Sequence, residues 1–414
     1  MTVVSKLVNW LYKRWKSRGV VASKELTYNL YIDISDDHIA NILCEIITVR
    51  GTAANLYLII NPSVKVKKTI INSTQVAKWK FGPFLVLSLK GVKIDQEIHA
   101  KILYSYQFDE KFVVKPESII VPTTSGVFSP HFVTLYWLNV SDHNLLFDRS
   151  TDEIAGVMSV SRYISNMPTP TLIECSGFVR YCSSFQYRDI KMYIPGSVYS
   201  FTISKSIDKY ARKIIAALCR IFNCEYPETL SIVFDEFANA TSSGFNLLLP
   251  LEKYQNVIQL NEKEMTDWVM GLSHEISHYY WGNVLMSDMF ATPWIHEGLA
   301  EYSAYRITAE ILGIHAVKEV IDHRADLVHS HRHKLAPVSE TTLLDKNLWL
   351  LAYCKSSLAL WELSEQVGAD RVNSALGCML KKYANILIDC NDLINAMNKL
   401  NSEATKTYKD MITK

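Results

Sequence analysis

The sequence predicts an α+β protein in which a strand-rich first half precedes a second half built from helices and a short mixed sheet. Short apolar or alternating runs, separated by turn residues, fill residues 23–203, and no helical pattern of convincing length interrupts them. From Ser204 onward, apolar residues recur at the spacing of an amphipathic helix. We therefore divide the chain into a basic amphipathic segment at 1–22, an all-β domain at 23–203 and a mixed domain at 204–414.

The composition describes an ordinary globular protein and argues against two classes of function. Apolar residues make up 49% and charged residues 21% of the 414 residues, enough to bury a large core. A formal net charge of +1 gives no global field for nucleic acid, and the longest apolar runs are too short to span a bilayer. The eight cysteines form no CxxC pair. We therefore expect reduced, buried thiols in a cytoplasmic protein.

Residues 1–22 carry a helical apolar stripe with lysines and arginines mostly outside it. One interpretation is a helix that lies on an anionic membrane surface. The other is a helix docked on the next domain with its lysines in solvent. Docking is favoured because apolar stripes on helices usually face protein.

The all-β domain contains five runs with the length and pattern of strands, separated by turn residues such as Asn61-Pro62. These runs are residues 28–34, 56–60, 84–89, 98–106 and 190–194. Behind a Ser204 or Ser206 cap, a helix is predicted to continue to Phe222. Three further strands are predicted after it, at 230–234, 244–249 and 256–260.

The motif that organises the second half is HEISH at residues 274–278. In a helix, His274 and His278 point from one face and can chelate one Zn²⁺. Glu275 then lies beside them, placed to take a proton from a water molecule. Glu297, nineteen residues after His278, is the candidate third ligand. The alternative is an amphipathic helix that bears two histidines and a surface glutamate.

Caps and glycines predict where the surrounding helices lie. The predicted helices run from near Asn261 to Gly282, from Pro293 to Gly313 and over 348–367, with two shorter helices after Asp370 and Asn391. Glu301 lies one turn beyond Glu297 and either orients a histidine ligand or lies in solvent. The histidines of residues 323–333 are expected at a solvated helix end or loop.

Residues 268–302 resemble the gluzincin aminopeptidases of the aminopeptidase N and leukotriene-A hydrolase type. That family carries HExxH and then WLxEGxAxY, and this chain has HEISHYYWGNVL and WIHEGLAEY at the family's spacing. The resemblance implies a thermolysin-like zincin domain with one Zn²⁺ per chain, held by His274, His278 and Glu297. It also implies that Glu275 is the general base.

The family places a tyrosine in a YxKG-like segment about sixty residues after the third ligand, and Tyr353 matches it. Here the lysine is kept and Ser356 replaces the glycine. The resemblance implies that the phenol donates a hydrogen bond to the oxyanion on the attacked carbonyl. The alternative is a core aromatic residue on an apolar helix.

The family's GAMEN segment supplies a glutamate that binds the free α-amine of the substrate, and this chain departs from it. Ser243 stands in that place, followed by Gly244 and Phe245. A serine cannot supply the charge, although Glu236 is near enough in sequence to substitute. In the thermolysin-like layout, 244–249 is expected to be the edge strand that holds the substrate backbone.

The expected function is zinc-dependent hydrolysis of peptide bonds, aminopeptidase-like with altered or narrow specificity. Family members usually continue into a helical domain where this chain stops at Lys414, so we expect a more open cleft, or one closed by another subunit. A non-catalytic peptide-binding protein, an endopeptidase and a hydrolase of non-peptide substrates are the alternatives. Glu275 favours the enzyme because a general base serves chemistry and little else. The sequence leaves the oligomeric state open.

Overall fold

A computed structural model describes nineteen stretches of the chain. They are residues 26–36, 39–50, 54–60, 65–81, 84–107, 127–128, 157–161, 182–187, 190–195, 200–226, 230–235, 241–243, 246–250, 260–282, 284–287, 292–342, 345–384, 387–400 and 402–413. The amphipathic segment at 1–22, residues 256–259 of the strand predicted at 256–260, and Glu236 lie outside them. Among the described residues, no helix is both long enough and apolar enough to cross a membrane.

Two antiparallel sheets fill the described residues before 162. In the first the strand order is β10-β1-β2-β8-β4-β5, and in the second it is β6-β7-β3-β9. The strands are β1 (Leu26–Asp36), β2 (Ile39–Val49), β3 (Asn55–Ile60), β4 (Lys65–Ile71), β5 (Thr74–Gln75), β6 (Lys78–Phe81), β7 (Phe84–Ser88), β8 (Glu97–Gln107), β9 (Val127–Phe128) and β10 (Val157–Ser161). Four of the predicted strands are thereby confirmed within one or two residues.

Strand β8 shows why these runs form strands. Its apolar residues alternate with polar ones, so that Ile98, Ala100, Ile102 and Tyr104 are fully buried on one face. Lys101, on the opposite face, pairs with Glu45 directly across on β2. Such alternation is typical of a sheet with one face on a core and the other toward solvent.

A third, mixed sheet precedes the motif helix, as predicted. Its strands are β11 (Cys182–Tyr187), β12 (Ile190–Pro195), β13 (Leu230–Asp235), β14 (Thr241–Ser243) and β15 (Asn246–Pro250), in the order β11-β12-β13-β15-β14. Strands β12, β13 and β15 are parallel, and the two outer strands are antiparallel to their neighbours. Because β12 pairs here, this sheet begins ahead of the division that we placed at residue 203.

The edge of this sheet differs from the prediction. The strand expected at the edge, 244–249, corresponds to β15, which is paired on both sides. Strand β14 pairs antiparallel with β15, so β14 covers that side of β15 and is itself an edge strand of the sheet. Strand β14 lies against the motif helix.

The remaining elements are helical, apart from a short parallel pair, β16 (Met286–Ser287) with β17 (Leu387–Ile388). The helices are α1 (Ser200–Phe222), α2 (Glu262–Ser277), α3 (Pro293–Leu312), α4 (Ile314–His331), a π-helical segment (Trp349–Lys355), α5 (Ser356–Val367), α6 (Ala369–Lys382), α7 (Cys390–Met397) and α8 (Ser402–Thr413). The predicted serine cap of α1 is wrong: Ser204 is buried inside the helix, which begins at Ser200. Helix α8 was not predicted.

Helix α2 begins where the sequence predicted and ends earlier. Asn261 and Glu264 form a capping box, in which each side chain accepts a hydrogen bond from the other's backbone N–H at 2.9 Å. The predicted end at Gly282 is wrong, because the helix stops at Ser277 and the chain turns back. At the end of that turn the Gly282 N–H donates to the Leu285 carbonyl at 2.9 Å, with Gly282 at a φ of +126°.

Helix α3 follows the prediction, whereas no helix was predicted over the residues of α4. Pro293 occupies the first turn of α3, where its missing N–H costs nothing, and Gly313 ends the helix at a φ of +96°. The end of α4 exposes His329 and His331, as expected of the histidine-rich segment. One continuous α-helix over 348–367 was predicted, and its first part is π-helical instead.

One hydrophobic core runs through these helices and the third sheet. Its largest fully buried side chains include Trp268, Trp281 and Trp294, which lie on or next to α2 and α3. The five cysteines whose side chains the structure describes are free, but the expectation that they are buried holds only for Cys354, and Cys378 is exposed.

Candidate active site

Three side chains from two packed helices converge at one point. His274 and His278 extend from the C-terminal end of α2, and Glu297 extends from the first turns of α3. The two Nε2 atoms lie 3.0 Å apart, and Glu297 Oε2 lies 3.2 Å from the first and 3.3 Å from the second. In the described part of the chain, no other group of three or more His, Cys, Asp or Glu residues could hold a metal ion in this way.

The spacing of these atoms fits a divalent cation. Ligand atoms at about 2.0–2.1 Å from a tetrahedral zinc ion lie about 3.3 Å from one another. The three atoms of this site have nearly that separation. Glu297 Oε2 is also buried without a well-formed hydrogen bond in the described structure. Two imidazole nitrogens and a carboxylate are a donor set that zinc favours.

Each histidine contacts a second group through its other ring nitrogen. His278 Nδ1 lies 3.0 Å from the carbonyl oxygen of Trp281, and His274 Nδ1 lies 2.7 Å from Glu301 Oε2. An N–H at each Nδ1 leaves the lone pair on Nε2 directed at the common centre. Of the two interpretations of Glu301, the structure therefore excludes a glutamate in solvent, since the residue is 4% exposed.

The carboxylates set the electrostatics of the histidines. Burial disfavours the imidazolium, but the adjacent carboxylates of Glu297 and Glu301 outweigh it and raise the pKa of His274 to about 10. The pKa of His278 is also raised, against burial, chiefly by the charge of Glu297. Burial alone would raise the pKa of Glu297, yet the two histidines hold that pKa well below its usual range. These protein groups by themselves therefore attract positive charge to the centre.

Glu275 and Tyr353 border the same centre. Glu275 is 8% exposed, and Tyr353 stacks on His274 with ring centroids 5.5 Å apart and planes 15° apart. Burial, followed by the charges of Glu297 and Glu275, raises the pKa of the Tyr353 phenol well above its ordinary value. The phenol thus keeps its proton and is a hydrogen-bond donor across the physiological pH range.

The π-helical segment brings Tyr353 to this position, and it depends on a close approach to α3. A Cβ atom added at Gly298 would lie 1.8 Å from Ser356 Oγ, so only glycine fits there. Ser356 Oγ in turn donates to the carbonyl oxygen of Ala352 at 2.6 Å. Single π-turns inside α-helices often occur at functional sites.

The sequence analysis missed three residues that contribute to the site: Arg324, Tyr305 and Trp281. Arg324 of α4 pairs with Glu301 and donates to the Tyr305 hydroxyl at 2.8 Å. Trp281 contributes only a backbone carbonyl, which no sequence pattern signals. Of the residues predicted to bind the substrate, Ser243 is the last residue of β14. Gly244 and Phe245 lie outside the described residues.

Comparison with known proteins agrees with this site. Residues 209–413 match the family model described as the peptidase family M1 domain. The second half of the chain is a peptidase family M1 domain. The predicted resemblance is thereby confirmed, and the α+β fold with it.

Curated relatives of the M1 domain are distant. Aminopeptidase M1-D of Oryza sativa subsp. japonica is 21% identical over 200 residues, which are 45% of this chain and 22% of that protein. Aminopeptidase RNPEPL1 of Mus musculus is 26% identical over 139 residues, 31% of this chain and 19% of that protein. The chain thus spans about a fifth of the length of these relatives.

Solved structures of M1 peptidases share the fold over most of the chain. Aminopeptidase A of Legionella pneumophila, in complex with aspartic acid, has a TM-score of 0.67 at 13% identity and covers 96% of this chain and 50% of its own. Native yeast LTA4 hydrolase has a TM-score of 0.65 at 12% sequence identity, and the match covers 92% of this chain and 65% of that one. An M1 zinc metallopeptidase of Deinococcus radiodurans bound to a Tyr-Ser-Ala substrate gives 0.56 at 14%, with 90% of each chain covered.

Proposed function

We propose that this protein is a zinc-dependent peptide hydrolase, aminopeptidase-like with narrow specificity, that binds one zinc ion per chain. The observation that supports this proposal most directly is the set of ligand atoms of His274, His278 and Glu297, which lie within 4.8 Å of one another. Family M1 membership and the zinc metallopeptidases among the structural relatives agree with it.

In this proposal each protein group has one task. A zinc ion held by the three ligands would lower the pKa of a water molecule toward neutrality and polarise the peptide carbonyl. Glu275 accepts the proton of the attacking water and passes it to the leaving amine. Tyr353, which keeps its proton, donates a hydrogen bond to the oxyanion that forms on the attacked carbonyl.

The narrow specificity is proposed from the edge of the third sheet. Strand β14 is an edge strand and lies against α2, so an extended peptide could add to it by backbone hydrogen bonds. Ser243 ends that strand, where the resemblance places an amine-binding glutamate. Without the negative charge of that glutamate, binding does not require the positively charged free N-terminus of a substrate.

The proposed mechanism predicts that Glu275→Gln separates zinc binding from hydrolysis. Turnover should fall by about 10²- to 10⁴-fold, because the general base is lost. Zinc should still bind at one equivalent, because none of the three ligands changes. Incubating both proteins with a mixed peptide library and reading the products by mass spectrometry measures this. Turnover retained by the variant would remove Glu275 as the base.

The same cleavage map distinguishes the classes of peptidase. Single residues released from free N-termini would establish an aminopeptidase, whereas internal cuts would establish an endopeptidase. Zinc bound at one equivalent without cleavage of any peptide would favour a peptide-binding protein.

A second substitution tests the specificity. Ser243→Glu should increase the hydrolysis of peptides with free N-termini relative to the same peptides acetylated at the N-terminus. Ser242→Glu, which adds the same charge one residue earlier, is the control. An equal response of the two variants would mean that Ser243 does not face the amine of the substrate.

A further inference from the structure

Glu301 uses both of its carboxylate oxygens, and the second one leads to a residue on a different helix. Oε2 lies 2.7 Å from His274 Nδ1, while Oε1 pairs with Nη1 of Arg324 on α4. The same Nη1 donates to the hydroxyl of Tyr305 at 2.8 Å. The contacts form a chain from α4 through α3 to the first histidine of α2.

This pair is buried at a cost that stability alone does not explain. The side chain of Glu301 is 5% exposed and that of Arg324 is 13% exposed. The guanidinium lies over the ring of Tyr305, with 5.4 Å from its central carbon to the ring centroid. Removing two charges from water in this way is often no better for stability than packing two apolar side chains there. A role in positioning gives a reason for the pair.

The charges of the site lead to the same residue. Three carboxylates are buried around the two histidines, those of Glu275, Glu297 and Glu301. With neutral histidines, a divalent cation would balance two of the three negative charges. The guanidinium of Arg324 balances the third, and it contacts the one carboxylate that lies behind a histidine.

We propose that Arg324 is a positioning residue of the metal site. Its guanidinium fixes the Glu301 carboxylate so that this group accepts the Nδ1–H of His274 and directs Nε2 at the metal position. The inference rests on the proposed function because it takes His274 as a zinc ligand. Arg324 itself touches neither the metal position nor the substrate.

Zinc affinity, measured on the full chain by competition with a chelator, tests the proposal without reference to activity. Arg324→Gln should weaken zinc binding by about 10- to 100-fold, the usual effect of losing a group that orients a ligand. The zinc affinity of Arg324→Lys should fall between those of the unmodified protein and Arg324→Gln, because lysine keeps the charge but not the planar guanidinium. In cobalt-loaded protein, the visible absorption of the metal should change in Arg324→Gln.

Arg306→Gln is the matched control. Arg306 lies on α3 with its guanidinium over the ring of Trp361, at 5.0 Å, and is not among the groups that pair with Glu301. Its removal should leave both zinc affinity and the cobalt spectrum unchanged. The double variant Glu301→Gln/Arg324→Met leaves no unpaired charge buried. It should bind zinc no more weakly than Glu301→Gln alone, because Arg324 acts through Glu301.

The outcomes separate this inference from the proposed function. If the unmodified protein binds no zinc, the proposed metal site fails and the inference with it. If it binds zinc and Arg324→Gln behaves like Arg306→Gln, the inference is overturned while the proposed function stands. If Arg324→Gln does not fold, the double variant decides: affinity well below that of Glu301→Gln alone would show that Arg324 acts by another route.

Discussion

The two histidines of the site are equivalent in the motif but are supported in different ways. His274 lies against Glu301, a side chain that Arg324 holds from another helix. His278 lies against a backbone carbonyl, that of Trp281, three residues further along the chain. One support is therefore made of charges and the other of backbone geometry.

This difference predicts how each support can fail. A support made of charges responds to protons and to substitutions on distant helices. A support made by a carbonyl does not titrate, and it changes only if the turn that carries the carbonyl changes. The three predictions below test this contrast, beginning with the largest expected effect.

Zinc binding should depend steeply on pH. The carboxylates raise the pKa of His274 and of His278, so zinc must displace protons from the site at neutral pH. A raised histidine pKa means that the competing protons leave only as the pH rises. The apparent Kd for zinc should therefore fall at least about tenfold per pH unit, or about 100-fold between about pH 6 and pH 8.

Titration calorimetry in two buffers of different ionisation enthalpy would count the released protons. Glu301→Gln should release fewer than the unmodified protein, because Glu301 helps to raise the pKa of His274. A zinc affinity that does not change with pH would show that both histidines are neutral before zinc binds.

The backbone support should fail when its turn is strained. Gly282 has a φ of +126°, which an L-residue rarely adopts, so Gly282→Ala should cost about 1–3 kcal/mol of unfolding free energy. It should also weaken zinc binding by about tenfold, because the displaced Trp281 carbonyl no longer orients His278. Chemical denaturation and chelator competition measure the two effects.

Gly313→Ala is the control for that strain. Gly313 also has a positive φ, +96°, and has no atom within 4 Å of an added Cβ. The Gly313→Ala variant should lose stability to a similar extent and keep its zinc affinity. Equal losses of affinity in both variants would mean that general strain, and not the carbonyl, explains the effect.

The smallest effect is expected at the outer end of the charged support. Tyr305→Phe removes a hydroxyl that accepts from Arg324 but leaves the pair of Arg324 with Glu301 intact. We expect a loss of about 1 kcal/mol of unfolding free energy. Zinc affinity should stay within about threefold, because the hydrogen bonds lost, from Arg324 and from Ser357, lie outside the contact of Glu301 with His274.

Tyr302→Phe removes another buried hydroxyl of α3, one that donates to Asn373 Oδ1 at 2.9 Å, away from the site. Its loss of stability should be similar. If only Tyr305→Phe lowered zinc affinity by tenfold or more, Arg324 would act through Tyr305 as much as through Glu301.

Local patterns were enough to predict the convergence of the site. The turn of an α-helix places His274 and His278 on one face. The capping pair Asn261 and Glu264 marks where that helix begins, and Gly313 marks where the next one ends. These features depend on neighbours in sequence, so a sequence pattern can show them.

The rest depends on contacts between distant parts of the chain. Helix α2 ends early where Trp281 enters the core and donates from Nε1 to Ser303 Oγ at 2.7 Å. Arg324 lies 23 residues after Glu301 on another helix. No spacing rule relates such a pair. The sequence analysis assigned the edge position to β15, but β14 holds it. The pairing of β14 with β15 depends on the tertiary structure and not on a local pattern.

The close approach of α3 to the π-helical segment also limits how this protein could be redesigned. The Ser356 hydroxyl occupies the volume that a side chain at Gly298 would need, 1.8 Å from the position of an added Cβ. The two positions therefore share one volume and cannot be varied independently. A library that samples larger residues at 298 has to offer glycine at 356 in the same clone, since either change tried alone would be rejected or leave a gap beside Tyr353.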